Sequence, residues 1–471
     1  MTFRPELHVT PEKGILDAPA GALYDGYSWH VFHQFRPTPE AGARWAHQVS
    51  HGTPFSWEIC DDVLAPLTRE TRLRAGAVTA VGDEAALYFT SVTADSASIH
   101  LATIDDLDAT TEDVNDKGSS VDPHVHRAGE ILGDQDGFTR FRSPCVVPDW
   151  KLDDAREDGH EGWIMLAVTG DSEAPRLVIA QSHNGRDWAL LGPLVITGDM
   201  GITDARLVSP RIVRLRDEVD GEIYDVLIVT VERDGIDISG YLVGSLVGNE
   251  FAVTTPFTRI DYGHDFTRPR NTNRPSSAID PDHRYDAATL FGLMNGIGRL
   301  DDGSKHESFI KEDWANCLSL PRRVTLEGGQ LYQTPIAGIP TAIMHSDAAS
   351  MWVGMGDVPT GEYLRVELVD SIGQVAAVIT HRGDRLELDR SMNAFHSGDP
   401  VAVAPLHEDD TDAVTIIVDG STVEVFADGG QAAMASRVYF NGQCEEFVGT
   451  ASKGATILRE DSLFPESKLG A

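Results

Sequence analysis

The stretch Arg4-Pro5-Glu6-Leu7-His8-Val9-Thr10-Pro11-Glu12-Lys13-Gly14-Ile15-Leu16-Asp17-Ala18-Pro19-Ala20-Gly21-Ala22-Leu23-Tyr24 runs directly into Asp25-Gly26 and then Tyr27-Ser28-Trp29-His30-Val31-Phe32-His33-Gln34. It reads as a loop rich in Pro and Gly that feeds a hairpin. Alternating apolar residues at Ala22–Tyr24 and Tyr27–Gln34 are the strands, and Asp-Gly is a strong short hairpin signal. Such a loop is a good place to hold one side chain rigidly. The side chain at position 18 decides what that hold is for.

Outward from this hairpin the same pattern recurs. An alternating apolar strand, a polar turn and a second strand begin near Trp29–Phe32, Ala86–Phe89, Trp163–Leu166, Tyr224–Ile228 and Ala288–Phe291. Sheet units repeated without long helices predict an all-β chain, here a five-bladed β-propeller over residues 1–335. Long loops are expected at 104–128, 150–161 and 264–284, the last carrying Arg268, Arg270 and Arg274. Past Pro335-Ile336-Ala337-Gly338-Ile339-Pro340 the strands shorten: Leu364–Val369, Val375–Thr380, Leu386–Leu388, Val414–Val418, Val423–Ala427 and Ala433–Tyr439. These predict a C-terminal β-sandwich over residues 341–471.

The totals narrow the function. A chain of 471 residues with 41% hydrophobic residues suits two packed domains. Its 38 basic and 74 acidic residues give a net charge of −36, which disfavours nucleic acid and anionic membrane surfaces as partners. A neutral ligand such as a sugar is compatible. Cys60, Cys145, Cys317 and Cys444 form no CxxC pair and read as isolated core residues. No apolar run approaches the ~18 residues of a membrane span, and no secretory leader is seen, so the expectation is a cytoplasmic protein. Oligomeric state is not indicated.

Several stretches together resemble one family. Arg4-Pro5…His8…Thr10-Pro11…Gly14…Pro19…Gly21…Tyr24 is similar to the opening segment of glycoside hydrolase family 32, the β-fructofuranosidases, invertases, levanases and inulinases. Phe32-His33-Gln34-Phe35-Arg36-Pro37, Trp45-Ala46-His47-Gln48-Val49-Ser50, Phe141-Arg142-Ser143-Pro144, Asp261-Tyr262-Gly263-His264-Asp265-Phe266, Leu318-Ser319-Leu320-Pro321-Arg322 and Val418-Asp419-Gly420-Ser421-Thr422-Val423-Glu424-Val425-Phe426 follow in the family's order. The resemblance implies a five-bladed propeller with a C-terminal sandwich. It also implies a carbohydrate ligand, no cofactor and no metal.

Glycoside hydrolysis with retention needs two carboxyl groups ~5–5.5 Å apart, one to attack and one to protonate the leaving oxygen. The resemblance implies a nucleophile, a supporting carboxylate and an acid at positions that here hold Ala18, Ser143 and Val208. Alanine and valine do neither job, and serine carries no charge. Asp17 is the nearest carboxylate to position 18 and the candidate nucleophile; in an extended strand a one-residue shift would turn it to the opposite face. The bland alternative is that Asp17 hydrogen-bonds a local turn. Asp204, Glu232, Asp234 and Asp265 are candidate replacement acids. The resemblance places Gln34, Trp45, His47, Arg142, Ser143 and Asp265 at the substrate, where Trp stacks on a sugar face and Arg, Gln and His bond hydroxyls, with the bland alternative that Trp45 and His47 simply fill the blade interface. His124 and His126 lack further ligands and read as a polar loop. Glu408-Asp409-Asp410-Thr411-Asp412 lacks the Gly and terminal Glu of a calcium loop and reads as a solvated turn. Three functions remain open: a degenerate member that binds a fructosyl sugar or related glycan, a glycosidase with relocated carboxylates, and a structural or regulatory protein without a sugar ligand.

Overall fold

A computed structural model describes residues 2–112, 121–149, 162–203, 205–233, 235–275, 278–296, 301–407 and 412–469. The expected loop at 150–161, Asp204, Asp234 and Glu408–Thr411 lie outside the described residues. The chain is a β-protein with a few short helices. No helix among the described residues is long and apolar enough to cross a membrane.

Five strands contact one another in a ring, each touching the next: Gly14–Tyr24, Arg72–Val81, Arg142–Pro148, Arg206–Arg216 and Thr267–Asn273. The ring is joined between its first and last members by a parallel pairing, Ala22 with Thr272 and Leu23 with Asn273. From each inner strand an antiparallel sheet steps outward. The second strands are Ser28–Arg36, Glu84–Val92, Trp163–Thr169, Ile223–Arg233 and Ala288–Met294. These carry the five apolar runs seen in the sequence. They are covered on both faces, as Leu87, Tyr88 and Phe89 show at no more than 1% exposure, so hydrophobic burial selects them most strongly.

The inner strands are irregular at a shared level. The ladder register shifts between Leu16 and Ala18, between Arg74 and Ala77, between Arg142 and Cys145, between Val208 and Arg211, and between Thr267 and Arg270. Ser143, Ser209 and Arg268 adopt left-handed backbone there, with φ of 56°, 55° and 49°. Such bulges re-aim side chains and bend the strand. Two sequence expectations change accordingly. The Pro- and Gly-rich "loop" before Ala22 is the bulged strand Gly14–Tyr24, and the expected loop at 264–284 contains the inner strand Thr267–Asn273.

Beyond Pro335, a short helix (Ile339–His345) leads to two five-stranded sheets. Both contribute to one core, with Val366, Leu368 and Ile379 from one sheet and Trp352, Ile416 and Val425 from the other. This C-terminal unit is tied to the ring by buried charges. Arg322 pairs with Glu424 at 2.6 Å and with Asp261 at 2.9 Å, all three being at most 2% exposed. Glu424 Oε1 also accepts from the Leu320 amide at 2.6 Å. Asp265, expected at the substrate, is fully buried in this contact instead, paired with Arg390 at 2.7 Å and Arg437 at 3.5 Å. Its carboxylate is consumed in holding the C-terminal unit.

His8 completes the clamp. Nδ1 lies 2.7 Å from Asp419 and Nε2 lies 3.1 Å from Glu424. Both nitrogens face carboxylate oxygens, so both donate only when the ring is protonated. Burial opposes that charge, but the two hydrogen bonds and the two negative charges outweigh it and push the pKa up to about 9. A raised imidazole pKa adds stability that is complete below the unfolded value of ~6.5 and is lost as pH rises through the folded value. The difference in melting temperature between wild type and His8→Gln should therefore be large at pH 6 and shrink toward pH 9.5. The stabilisation at stake is on the order of a few kcal/mol. A difference independent of pH would show that His8 is neutral in the fold.

Candidate functional site

The inner strands converge on a cavity of about 1220 Å³. Its lining comes from all five: Asp17 and Ala18, Arg74 and Ala75, Arg142 and Ser143, Val208 and Ser209, Arg268 and Arg270. Ala18, Ser143 and Val208, far apart in sequence, thus share one chamber.

Asp17 reaches it by the first bulge. Leu16 pairs with Phe35 and Ala18 pairs with Gln34, which leaves Asp17 as the extra residue. The bulge cancels the alternation that would otherwise put Asp17 and Ala18 on opposite faces, and both line the cavity. Asp17 is not free there. Arg36 Nε lies 3.0 Å from Oδ2 and 3.2 Å from Oδ1, and Arg36 Nη2 lies 3.0 Å from Oδ1. Gln34 Nε2 adds a contact to Oδ2 at 3.5 Å, while Gln34 Oε1 accepts from the Ala75 amide at 2.7 Å. A two-pronged guanidinium contact fixes both carboxylate oxygens and spreads their charge.

Of the other sequence candidates, Gln34, Arg142 and Ser143 line the cavity and Trp45 and His47 do not. Trp45 is fully buried in the cluster that also holds Ala18 and Phe32, and its indole N–H donates to the Arg74 carbonyl at 3.1 Å. It packs behind the cavity wall. His47 is fully buried, stacked on Phe32 at 4.5 Å and bonded to His30 at 3.0 Å. Large aromatic side chains in the middle of strands went to the sheet interior, where burial gains most. Glu232 lines the cavity, engaged in an interaction of its own.

Five of the lining side chains were not singled out from the sequence as site residues. Arg36, Arg74 and Asp237 line the cavity, as do Arg268 and Arg270, which the sequence had placed in a loop. Asp237 is 4% exposed; burial pushes its carboxyl pKa up, with the adjacent Arg268 guanidinium opposing. Burial, with the nearby Arg72, Arg142 and Arg268 charges, lowers the Arg74 pKa to about 10. No local pattern marks Arg36, Arg74 or Asp237: Arg36 and Asp237 lie outside the inner strands, and the bulge beside Arg74 is visible only in the paired strands.

One cluster elsewhere has metal-ligand composition: His381, Asp412 and Asp428. The Gly383 amide donates to His381 Nδ1 at 3.1 Å, so the ring proton sits on Nε2, which faces Asp428 at 3.2 Å. That tautomer makes a hydrogen bond to the carboxylate, and the nitrogen has no lone pair left for a cation.

Next to the lining residue Ala75, the Gly76 backbone anchors two buried arginines. Its carbonyl accepts from Arg211 Nη2 at 3.1 Å and from Arg270 Nε at 3.2 Å. A Cβ at this position would lie 1.8 Å from the Tyr88 carbonyl oxygen. Gly76→Ala should therefore force the inner strand away from its neighbour and cost at least ~2 kcal/mol. Chemical denaturation measures this, and a loss below about 0.5 kcal/mol would contradict the packing described.

Comparison with known proteins agrees with the fold. The family description "Glycosyl hydrolases family 32 N-terminal domain" matches residues 8–335, and "Glycosyl hydrolases family 32 C terminal" matches residues 371–462. Sucrose-6-phosphate hydrolase of Bacillus subtilis (strain 168) is 26% identical over 488 residues, spanning 96% of this chain and 92% of that protein. Raffinose invertase of Escherichia coli is 24% identical, spanning 98% and 95%. Among solved structures, an exo-inulinase from Aspergillus awamori superposes with a TM-score of 0.74 at 17% identity, covering 98% of each chain. A mutant Bombyx mori β-fructofuranosidase in complex with sucrose gives 0.73 at 19% identity, covering 98% of this chain and 94% of that one. The chain belongs to glycosyl hydrolase family 32.

Proposed function

We propose that this protein is a five-bladed propeller with a C-terminal sandwich, divided near residues 336–340, whose central cavity binds a fructosyl sugar or a related glycan without hydrolysing it. The observation that carries this reading is the company kept by Ala18, Ser143 and Val208. All three face the cavity, and none brings a carboxylate to it. Cleavage needs an unencumbered nucleophile and a proton donor on opposite sides of the glycosidic bond. Asp17, the carboxylate nearest position 18, has both oxygens committed to Arg36. An attack would have to break that pairing first.

A sugar ligand suits the chamber. It is open, and Gln34, Arg142, Ser143 and Ser209 bring polar groups to its lining. Convergent hydrogen-bonding groups on a rigid wall are what hydroxyl recognition requires. A purely structural role would favour bulky apolar residues filling the space, which the lining does not supply. The relatives named above, sucrose-6-phosphate hydrolase and raffinose invertase among them, support a fructosyl ligand over other glycans.

One observation favours a second reading, an active glycosidase with relocated carboxylates. Asp17 and Asp237 both line the cavity, and burial raises the Asp237 pKa in the direction a general acid needs. The two readings separate in one assay. Purified protein incubated with sucrose, levan and inulin should release no fructose above the blank. Fructose should raise its melting temperature, because a ligand bound only by the native state stabilises it by about 2.7 kcal/mol at 100 times its Kd. Turnover that both Asp17→Asn and Asp237→Asn abolish would overturn the binding-only reading and establish the second.

A further inference from the structure

The charges lining the cavity are unequally paired. Asp17 is held by Arg36, Asp171 by Arg140 and Asp237 by Arg268. Asp301 faces His306 and Arg437, Glu232 has an interaction of its own, and Glu40 and Asp95 are exposed. Among the described residues, Arg74, Arg142 and Arg270 form no direct ion pair with a carboxylate, and only Arg142 feels one nearby, that of Asp171. Arg270 is 3% exposed, and its bonds run to the carbonyls of Gly76, Arg268 and Pro269 and to the Ser209 hydroxyl. Arg142 bonds the carbonyls of Arg140 and Gly170. The Arg74 guanidinium makes no hydrogen bond to any described residue. Arg211, 1% exposed, bonds the carbonyls of Pro144, Pro210 and Gly76, with a longer contact to Ser143, and lies against the Cys145 thiol.

Burying cations without counter-charges is costly, and carbonyl dipoles offset only part of that cost. Here several guanidinium groups are gathered on neighbouring inner strands and pointed at one space. They perturb one another: Arg74 feels Arg142 and Arg268, and Arg270 feels Arg211 and Arg268. The whole protein carries −36, so its distant field repels anions. The lining holds seven arginines and seven acids, so guanidinium groups left without a direct ion pair are a local feature with a local use. The guanidinium fork matches the geometry of carboxylate, phosphate and sulfate oxygens.

We propose that Arg74, Arg142 and Arg270 form an oxyanion subsite in the cavity lining, which takes the phosphate, sulfate or carboxylate group of an acidic sugar. The sugar part rests on the binding function proposed above; the anion part rests on the arginines alone. Ala18, Ser143 and Val208 are compatible with this ligand because each leaves the neighbouring guanidinium groups uncompensated. Carboxylates at those positions would pair with them and repel the anion.

Calorimetry at fixed ionic strength tests the proposal with four probes: inorganic phosphate, fructose, fructose 6-phosphate and glucuronate. One of the two acidic sugars should bind at least ~10-fold tighter than fructose, as charge-assisted hydrogen bonds imply. Whichever of them does so names the anionic group. Arg74→Gln, which breaks no hydrogen bond in the fold, should bring that ratio toward unity. Phosphate binding that Arg74→Gln weakens, with no sugar bound at all, supports the subsite and defeats the sugar-binding function. Fructose binding with no advantage for either acidic sugar overturns the subsite and leaves the sugar-binding function standing. An advantage that survives in both Arg74→Gln and Arg142→Gln also overturns it.

Discussion

Strands that meet around one centre crowd each other at their inner ends, and straight ladders there would send alternate side chains into neighbouring sheets. This chain relieves the crowding with a register shift in each of its five inner strands, all facing the same chamber. Everything about the site follows from those shifts. The first one presents Asp17 beside Ala18. Another places the Gly76 carbonyl where Arg211 and Arg270 both reach it. The left-handed backbone at Ser143, Ser209 and Arg268 is held by the surrounding sheets, since isolated residues of these types disfavour it.

The C-terminal sheets dock against this ring through buried charges. Their contact with the ring is built on Arg322, Glu424, Asp261 and His8, and on Asp265 with Arg390 and Arg437. Buried ion pairs of this kind contribute little net stability against apolar packing, but losing one partner strands the other and costs about 3–5 kcal/mol. They therefore specify one docking geometry. Much of the family resemblance lies in these same residues: His8, Asp261, Asp265, Arg322 and Glu424 all belong to the quoted motifs. A chain can thus keep the family's signature over most of its length and still vary the chamber, because clamp and chamber use different side chains.

The fold was legible where burial is strongest. The five apolar runs read from the sequence lie in the strands paired next to the five inner strands, covered on both faces, and the Val375–Thr380, Val414–Val418 and Val423–Ala427 strands appear nearly as read. The inner strands were not legible as strands, because bulges break the two-residue period and Pro19, Gly21 and Pro269 read as loop. The strand Thr456–Leu463 was missed for the opposite reason: its side chains are mostly exposed and leave no apolar pattern. Gln34, Arg142 and Ser143, singled out by resemblance, line the cavity. Trp45, His47 and Asp265 were readable only as motif members, and their burial shows them to be scaffold. Arg36, Arg74 and Asp237 carried no local signal, since only the assembled ring brings them together.

The central claim is that this chamber holds a fructosyl ligand and leaves it whole. A crystal structure of the protein soaked with sucrose is the most direct test. The account predicts an intact disaccharide, Asp17 still paired with Arg36, and no carboxylate oxygen at the ~3–3.5 Å from the anomeric carbon that attack requires. Cleaved sugar in the chamber, or a bond from Asp17 to that carbon, would contradict it.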